Sequence, residues 1–375
     1  MKRINRYIAL ILCGSVLITM LSSCTKSTPK LSDCGVVHEP EFGGIYIKKT
    51  IDEFNALGFN YGDSVTVTFS NGYVLEDIPY YNGYYTRNGE RQLIAYPGYD
   101  YIKAVINNGA DLWDVAGIDE STLASITLYE SGKYKVIQEA RDLSYKDDRN
   151  LFESDEMFAN FRNIQVGKIS EGLIYRSASP CDNQHNRAPY VDRLINEAGV
   201  RYIVDLADND ERIMSHINKD NFDSPYFLSL YYNSQVYPMA MNTNYESMQL
   251  RQKIADGMRA MLNNDGPYLV HCTEGKDRTG FICMLIEALC GASYQEIVDD
   301  YMITYKNYYG ITREKDEFKY VIIVNDVLHP MIRIVIGDEN ADVSTADLSL
   351  AARGFLIDCG MSDQEVSKLI EKLTY

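Results

Sequence analysis

Around residue 272 a short apolar strand runs through a polar loop into an apolar helix. Residues 267–271 (Pro-Tyr-Leu-Val-His) show no polar alternation, so they read as a strand buried on both faces. Residues 280–290 are apolar almost throughout and are stopped by Gly291, which predicts a helix packed in the same core. Earlier segments repeat the alternation. Residues 190–198 have helical apolar spacing closed by Gly199, residues 201–206 read as a strand, and a helix is predicted over 244–263. From Ile311 the tail reads as helical, and residues 363–373 are amphipathic. Such alternation predicts an α/β fold over 151–375, a mostly parallel sheet flanked by helices.

The stretch before it has a different grammar. Ser64–Phe69 alternates polar and apolar residues, Asn71-Gly72 supplies a turn, and strands are also predicted at 73–75, 91–96 and 125–129. A smaller β-rich accessory domain is therefore expected over 45–150. General pattern alone makes it similar to the small β-barrel at the C-terminus of bacterial S-adenosylmethionine hydroxide adenosyltransferases. Trp113 and the many tyrosines are expected to serve packing rather than a ligand platform. The charged stretch 141–156 reads as a hydrophilic link between the two domains.

The N-terminus is a targeting segment. Lys2, Arg3 and Arg6 precede an apolar run over 7–21, shorter than the ~20 residues a spanning helix needs. Leu21-Ser-Ser-Cys24 resembles the lipobox of bacterial prolipoproteins, which implies a signal peptide over 1–23, acylation of Cys24, a tether over 24–44, and lipid anchoring in the cell envelope outside the cytoplasm. The formal net charge of −17 argues against nucleic acid as a partner. An anionic substrate would need a local basic pocket. The eight cysteines fit neither a zinc pattern nor a dense disulfide framework.

That pocket is predicted at His271-Cys-Thr-Glu-Gly-Lys-Asp-Arg-Thr-Gly280. A tight loop opening a helix aims backbone N–H groups inward, and the helix adds about half a positive charge there. Thr273, Glu274, Gly275, Lys276, Asp277, Arg278 and Thr279 are therefore expected to cradle a phosphate-sized anion. Arg278 brings a planar fork that binds two phosphoryl oxygens at once. Cys272 sits in the same positive field, which favours thiolate over thiol and prepares in-line attack to give a cysteinyl-phosphate. His271 supports the nucleophile, Gly275 lets the loop turn, and Thr279 is expected to donate its hydroxyl to the sulfur. Lys276 is expected to add positive charge at the pocket mouth, which suits doubly phosphorylated or inositol-type substrates. Cys181 and Arg187 have the same spacing without a glycine or a preceding strand, and read as a chance match.

At these residues the chain resembles the protein tyrosine phosphatase superfamily. The loop looks like that of the bacterial secreted tyrosine and phosphoinositide phosphatases that carry Lys-Asp before the arginine. Similar segments are Asn160-Phe-Arg-Asn163, residues 173–177, residues 204–206 with Glu211, and residues 296–301. The resemblance implies phosphomonoester hydrolysis without metal or cofactor, acting on phosphorylated protein, phosphoinositide or inositol phosphate. Two departures stand out. Ala207 replaces the usual arginine of Asp-Leu-Arg. No aspartate occurs over 224–255, where such enzymes place a general acid roughly thirty residues before the nucleophile, and Glu246 is the one acid there. Asp277 is then the first candidate for the leaving group's proton, with Asp205 or Asp208 second. Two other functions compete: a phosphate-binding or adhesion lipoprotein without turnover, and thiol redox or sulfur transfer, which lacks a Cys-x-x-Cys pair.

Overall fold

A computed structural model describes residues 28–374. The predicted signal peptide and Cys24 lie outside them. The first half closes into a seven-stranded barrel of β1 (Lys30–Glu39), β2 (Gly44–Ile47), β3 (Ser64–Phe69), β4 (Val74–Tyr81), β5 (Arg91–Ile94), β6 (Ile102–Ile106) and β7 (Leu123–Glu130). Their order around the barrel is β1-β2-β6-β5-β4-β3-β7, and closure leaves no sheet edge unpaired. Inward side chains such as Ile45, Val65, Val67, Leu93 and Ile126 fill its core. Trp113 packs against that core, as expected.

The expected tether is corrected here. Most of residues 30–44 are not a spacer, because Lys30–Glu39 forms β1, paired with β2 on one side and β7 on the other. Its register shifts between Leu31 and Cys34, so polar–apolar alternation is broken where it would have signalled a strand.

The second half holds five strands: β8 (Arg162–Asn163), β9 (Ile174–Ser177), β10 (Tyr202–Asp205), β11 (Val236–Pro238) and β12 (Tyr268–His271). They lie in the order β11-β10-β12-β9-β8. Every pairing is parallel except β8 with β9. Strand β12 is central and buried throughout, which is why its sequence carries no polar residue before His271. Val204, Tyr268 and Val270 face one apolar cluster with helices Met248–Asn263 and Asp277–Leu289, while Ile203 and Leu269 face another with helix Ala188–Glu197. The sheet is thus covered on both faces. Helices Leu348–Asp358 and Asp363–Thr374 complete the larger core.

The stretch 141–156 runs between the two halves, as expected of a link. It includes the end of helix Lys135–Arg141 and then lies against the second half of the chain. Arg187 Nη2 donates to the Lys146 carbonyl at 2.9 Å, and Asp147 pairs with Arg187 at 3.2 Å and His185 at 3.0 Å.

Candidate active site

Strand β12 ends at His271, and the next residue, Cys272, sits on a cavity of about 360 Å³. The cavity is lined by Met241, Asn242, Thr243, Cys272, Glu274, Asp277 and Arg278. Cys272 is only 3% exposed, so access to it is through this opening. Helix Asp277–Leu289 begins at the rim and brings its positive end to the same place. Arg278 spans the site: one Nη donates to Thr273 Oγ1 at 3.1 Å and the other to the Met241 carbonyl at 3.3 Å.

The loop between strand and helix turns its carbonyls outward. Ser179 N–H donates to Thr273 O at 3.1 Å, the Tyr308 hydroxyl to Glu274 O at 2.7 Å, and Asn160 Nδ2 and Arg176 Nη2 both to Gly275 O at 3.2 Å. Among the described residues, the N–H groups of Thr273, Glu274, Gly275 and Lys276 donate to no protein group. Carbonyls out and amides unengaged is the arrangement of an anion cradle. Gly275 has φ +66°, and a Cβ there would lie 2.1 Å from the Ser177 carbonyl oxygen, so only glycine lets the loop pass. Thr279 is fully buried with its hydroxyl unpartnered, free to donate to sulfur or to a bound anion.

A sequence profile described as the tyrosine phosphatase family matches residues 156–375. The chain belongs to the tyrosine phosphatase family. The chain is also 42% identical over 59 residues to a tyrosine-protein phosphatase from Nostoc commune, covering 16% of this chain and 20% of the other. It therefore spans about a fifth of the length of that curated relative. Among solved structures, the core catalytic domain of the PP-IP phosphatase SIW14 from S. cerevisiae, in complex with citrate, matches at 21% identity and TM-score 0.27, over 45% of this chain and 94% of that one. An uncharacterized conserved protein from Thermotoga maritima matches at 17% identity and TM-score 0.24, over 27% and 37%.

The loop after β12 is braced by a buried ionic cluster. Asp300 pairs with Arg162 Nε at 2.9 Å and with Arg176 Nη1 at 2.6 Å. Burial opposes its charge, yet the two guanidiniums hold the Asp300 carboxyl well below the usual carboxylate range. Asn160, Arg162, Arg176 and Asp300 all come from the segments that carried the family resemblance, and the structure brings them together behind Gly275. Glu211, from another such segment, is exposed on helix Asp210–Ile217. His271 is fully buried, and burial lowers it to about 4, so the ring is neutral; Nδ1 donates to the Cys272 carbonyl at 3.4 Å.

Of the proposed acids, Asp277 lines the cavity with its carboxylate partly exposed. Asp205 and Asp208 do not line it. Asp205 Oδ1 accepts the N–H groups of Ala207 at 2.8 Å and Asp208 at 3.1 Å, capping the turn after β10, and burial pushes this carboxyl up to about 6. The segment 241–243 forms the facing wall, in the place where an aspartate loop was sought, and contributes no acid. Glu246 is exposed and off the cavity. Glu274, expected to act through its backbone, also presents its side chain to the cavity. Burial pushes that carboxyl up to about 7, and the Tyr145 hydroxyl donates to it.

Lys276 corrects an expectation. It does not line the cavity. Its ammonium lies 5.7 Å from the Tyr145 ring, 5.9 Å from those of Tyr305 and Tyr309, and 3.6 Å from the Asp277 carboxylate. Burial works against its charge, but Asp277 and the tyrosine oxygens outweigh that and raise Lys276 well above an ordinary lysine. The second Cys-x5-Arg spacing builds no cradle. Cys181 is buried, and Arg187 donates to the Phe158 carbonyl and packs 4.8 Å from the rings of Phe158 and Tyr308.

Proposed function

We propose that this chain hydrolyses phosphomonoesters through a cysteinyl-phosphate on Cys272, with phosphotyrosyl protein as its substrate class. The observation that carries the reading is Cys272 set beneath unengaged loop amides and the Arg278 fork. In the first step the Cys272 thiolate attacks phosphorus, the P–O ester bond breaks, and the leaving oxygen takes the proton of the Asp277 carboxyl. In the second, water attacks the thiophosphate and gives its proton back to Asp277. The S–P bond breaks, and the Thr279 hydroxyl stabilises the departing sulfur. Loop amides and Arg278 hold the equatorial oxygens in both steps.

Phosphoinositides and inositol phosphates remain the competing substrates. They bring extra phosphates into a cavity whose one cation, Arg278, faces the carboxyls of Glu274 and Asp277. Met241 instead offers an apolar surface to an aryl leaving group. With acylation at Cys24, the enzyme would work at the bacterial envelope on phosphoproteins outside the cytoplasm.

Phosphate release from a phosphotyrosine peptide, a phosphoserine peptide, a phosphoinositide and inositol hexakisphosphate tests this, with Cys272→Ser in parallel under reducing conditions. Turnover of the phosphotyrosine peptide by the wild-type chain and its loss in Cys272→Ser is the expected result. No release from any ester by freshly reduced protein would sink the reading.

A further inference from the structure

We infer that Tyr145, from the segment joining the barrel to the second half, is a specificity-determining residue: with Tyr305 and Tyr309 it holds Lys276 off the cavity wall and so selects singly phosphorylated substrates. The inference rests on the phosphatase reading above and adds the origin of its selectivity.

Three observations carry it. First, Lys276 belongs to the anion loop, yet its ammonium is enclosed by three tyrosine rings at 5.7–5.9 Å and the cavity wall does not include it. The negative faces of aromatic rings attract a cation and hold it in place. Second, Tyr145 is fixed rather than draped. Its ring packs on Tyr308 and Tyr309 at 5.7 and 5.5 Å, its hydroxyl donates to Glu274, and the neighbouring backbone is tied to Arg187. Third, with Lys276 withdrawn, Arg278 alone faces two carboxyls across the opening. One phosphoryl group satisfies Arg278 and the loop amides. A second phosphate on the same substrate meets the carboxyls of Glu274 and Asp277, and the one lysine beside them, 3.6 Å from Asp277, is held among the tyrosines instead of on the cavity wall. A lysine released from the cage would supply that charge.

The ratio of kcat/KM for inositol hexakisphosphate to that for a phosphotyrosine peptide reads the cage directly. In Tyr145→Ala the ratio rises by about tenfold, as one freed cation near a polyanion predicts. Tyr145→Phe keeps the ring and holds the ratio near the wild-type value, and Lys276→Met in the Tyr145→Ala background brings it back. Should Tyr145→Ala fail to fold, Tyr309→Ala opens the cage from its other wall and gives the same readout. The same substitutions placed in Cys272→Ser report the ratio as dissociation constants, independently of turnover. A wild-type chain that hydrolyses nothing would remove the phosphatase reading, while the binding ratio would still decide the cage. A ratio unmoved by opening the cage, or a rise that Lys276→Met does not reverse, overturns the inference.

Discussion

Arg176, almost wholly buried on β9, donates through Nη2 to the carbonyl oxygen of Gly275 at 3.2 Å, while its Nη1 pairs with Asp300 at 2.6 Å. One guanidinium thus ties the turning point of the anion loop to helix Tyr294–Tyr309. Its orientation is set by a carboxylate more than a hundred residues away in the chain.

Asp300→Asn should damage both stability and turnover. It leaves two buried guanidiniums short of their shared counter-charge, a loss of about 3–5 kcal/mol for a broken buried pair. Chemical denaturation would show the shift in midpoint. Turnover should fall further than the loss of folded fraction explains, because Gly275 loses a fixed donor.

Gly275→Ala should be worse for activity than for folding. The added Cβ meets the Ser177 carbonyl at 2.1 Å, and the residue must hold φ +66°. Backbone strain of that kind costs about 1–3 kcal/mol, and relief requires the loop to move off Ser177. A melting temperature lowered by a few degrees with a collapse of kcat is the expected pair of results.

Asp277→Asn should separate good leaving groups from poor ones. If Asp277 supplies the proton, kcat for a phosphotyrosine peptide falls by about 10²–10⁴-fold. p-Nitrophenyl phosphate, whose leaving group needs little protonation, should lose far less. Equal losses on both substrates would assign the proton to another group.

The pH profile should carry the signature of Glu274. Burial raises its carboxyl to about 7, so it is neutral below that pH and becomes a carboxylate on the cavity wall above it. A phosphate ester is already charged in this range, so kcat/KM should decline as pH rises through about 7, mainly through KM. Glu274→Gln should flatten that limb.

What the sequence disclosed was local. The strand before Cys272, the glycine turn and the apolar helix after Arg278 form one continuous segment, so pattern alone placed them. Strands with clean alternation, such as Ser64–Phe69, were equally legible. Strand β1 was not, because the register shift between Leu31 and Cys34 scrambles its alternation and its charged residues read as a tether. The caged position of Lys276 was hidden for a different reason. Tyr145 meets the loop across 129 positions, and no local pattern reports such a contact. One signal was available: Tyr301, Tyr305 and Tyr309 recur every fourth residue and pack edge to edge at tilted angles along one face of a helix, which marks an aromatic wall awaiting an occupant. The side chain of Glu274 was missed because a loop read for its amides gave no reason to consider it.

The placement of Tyr145 also bears on how this protein can be dissected. Composition invites a cut within 141–156, and a fragment starting at residue 151 would keep every group that touches the phosphoryl centre. It would nonetheless lose a wall of the Lys276 enclosure and the hydroxyl that meets Glu274. Such a fragment could be soluble, folded and active, and still misreport what the intact chain prefers. Substrate screens on this protein therefore call for fragments that retain Tyr145.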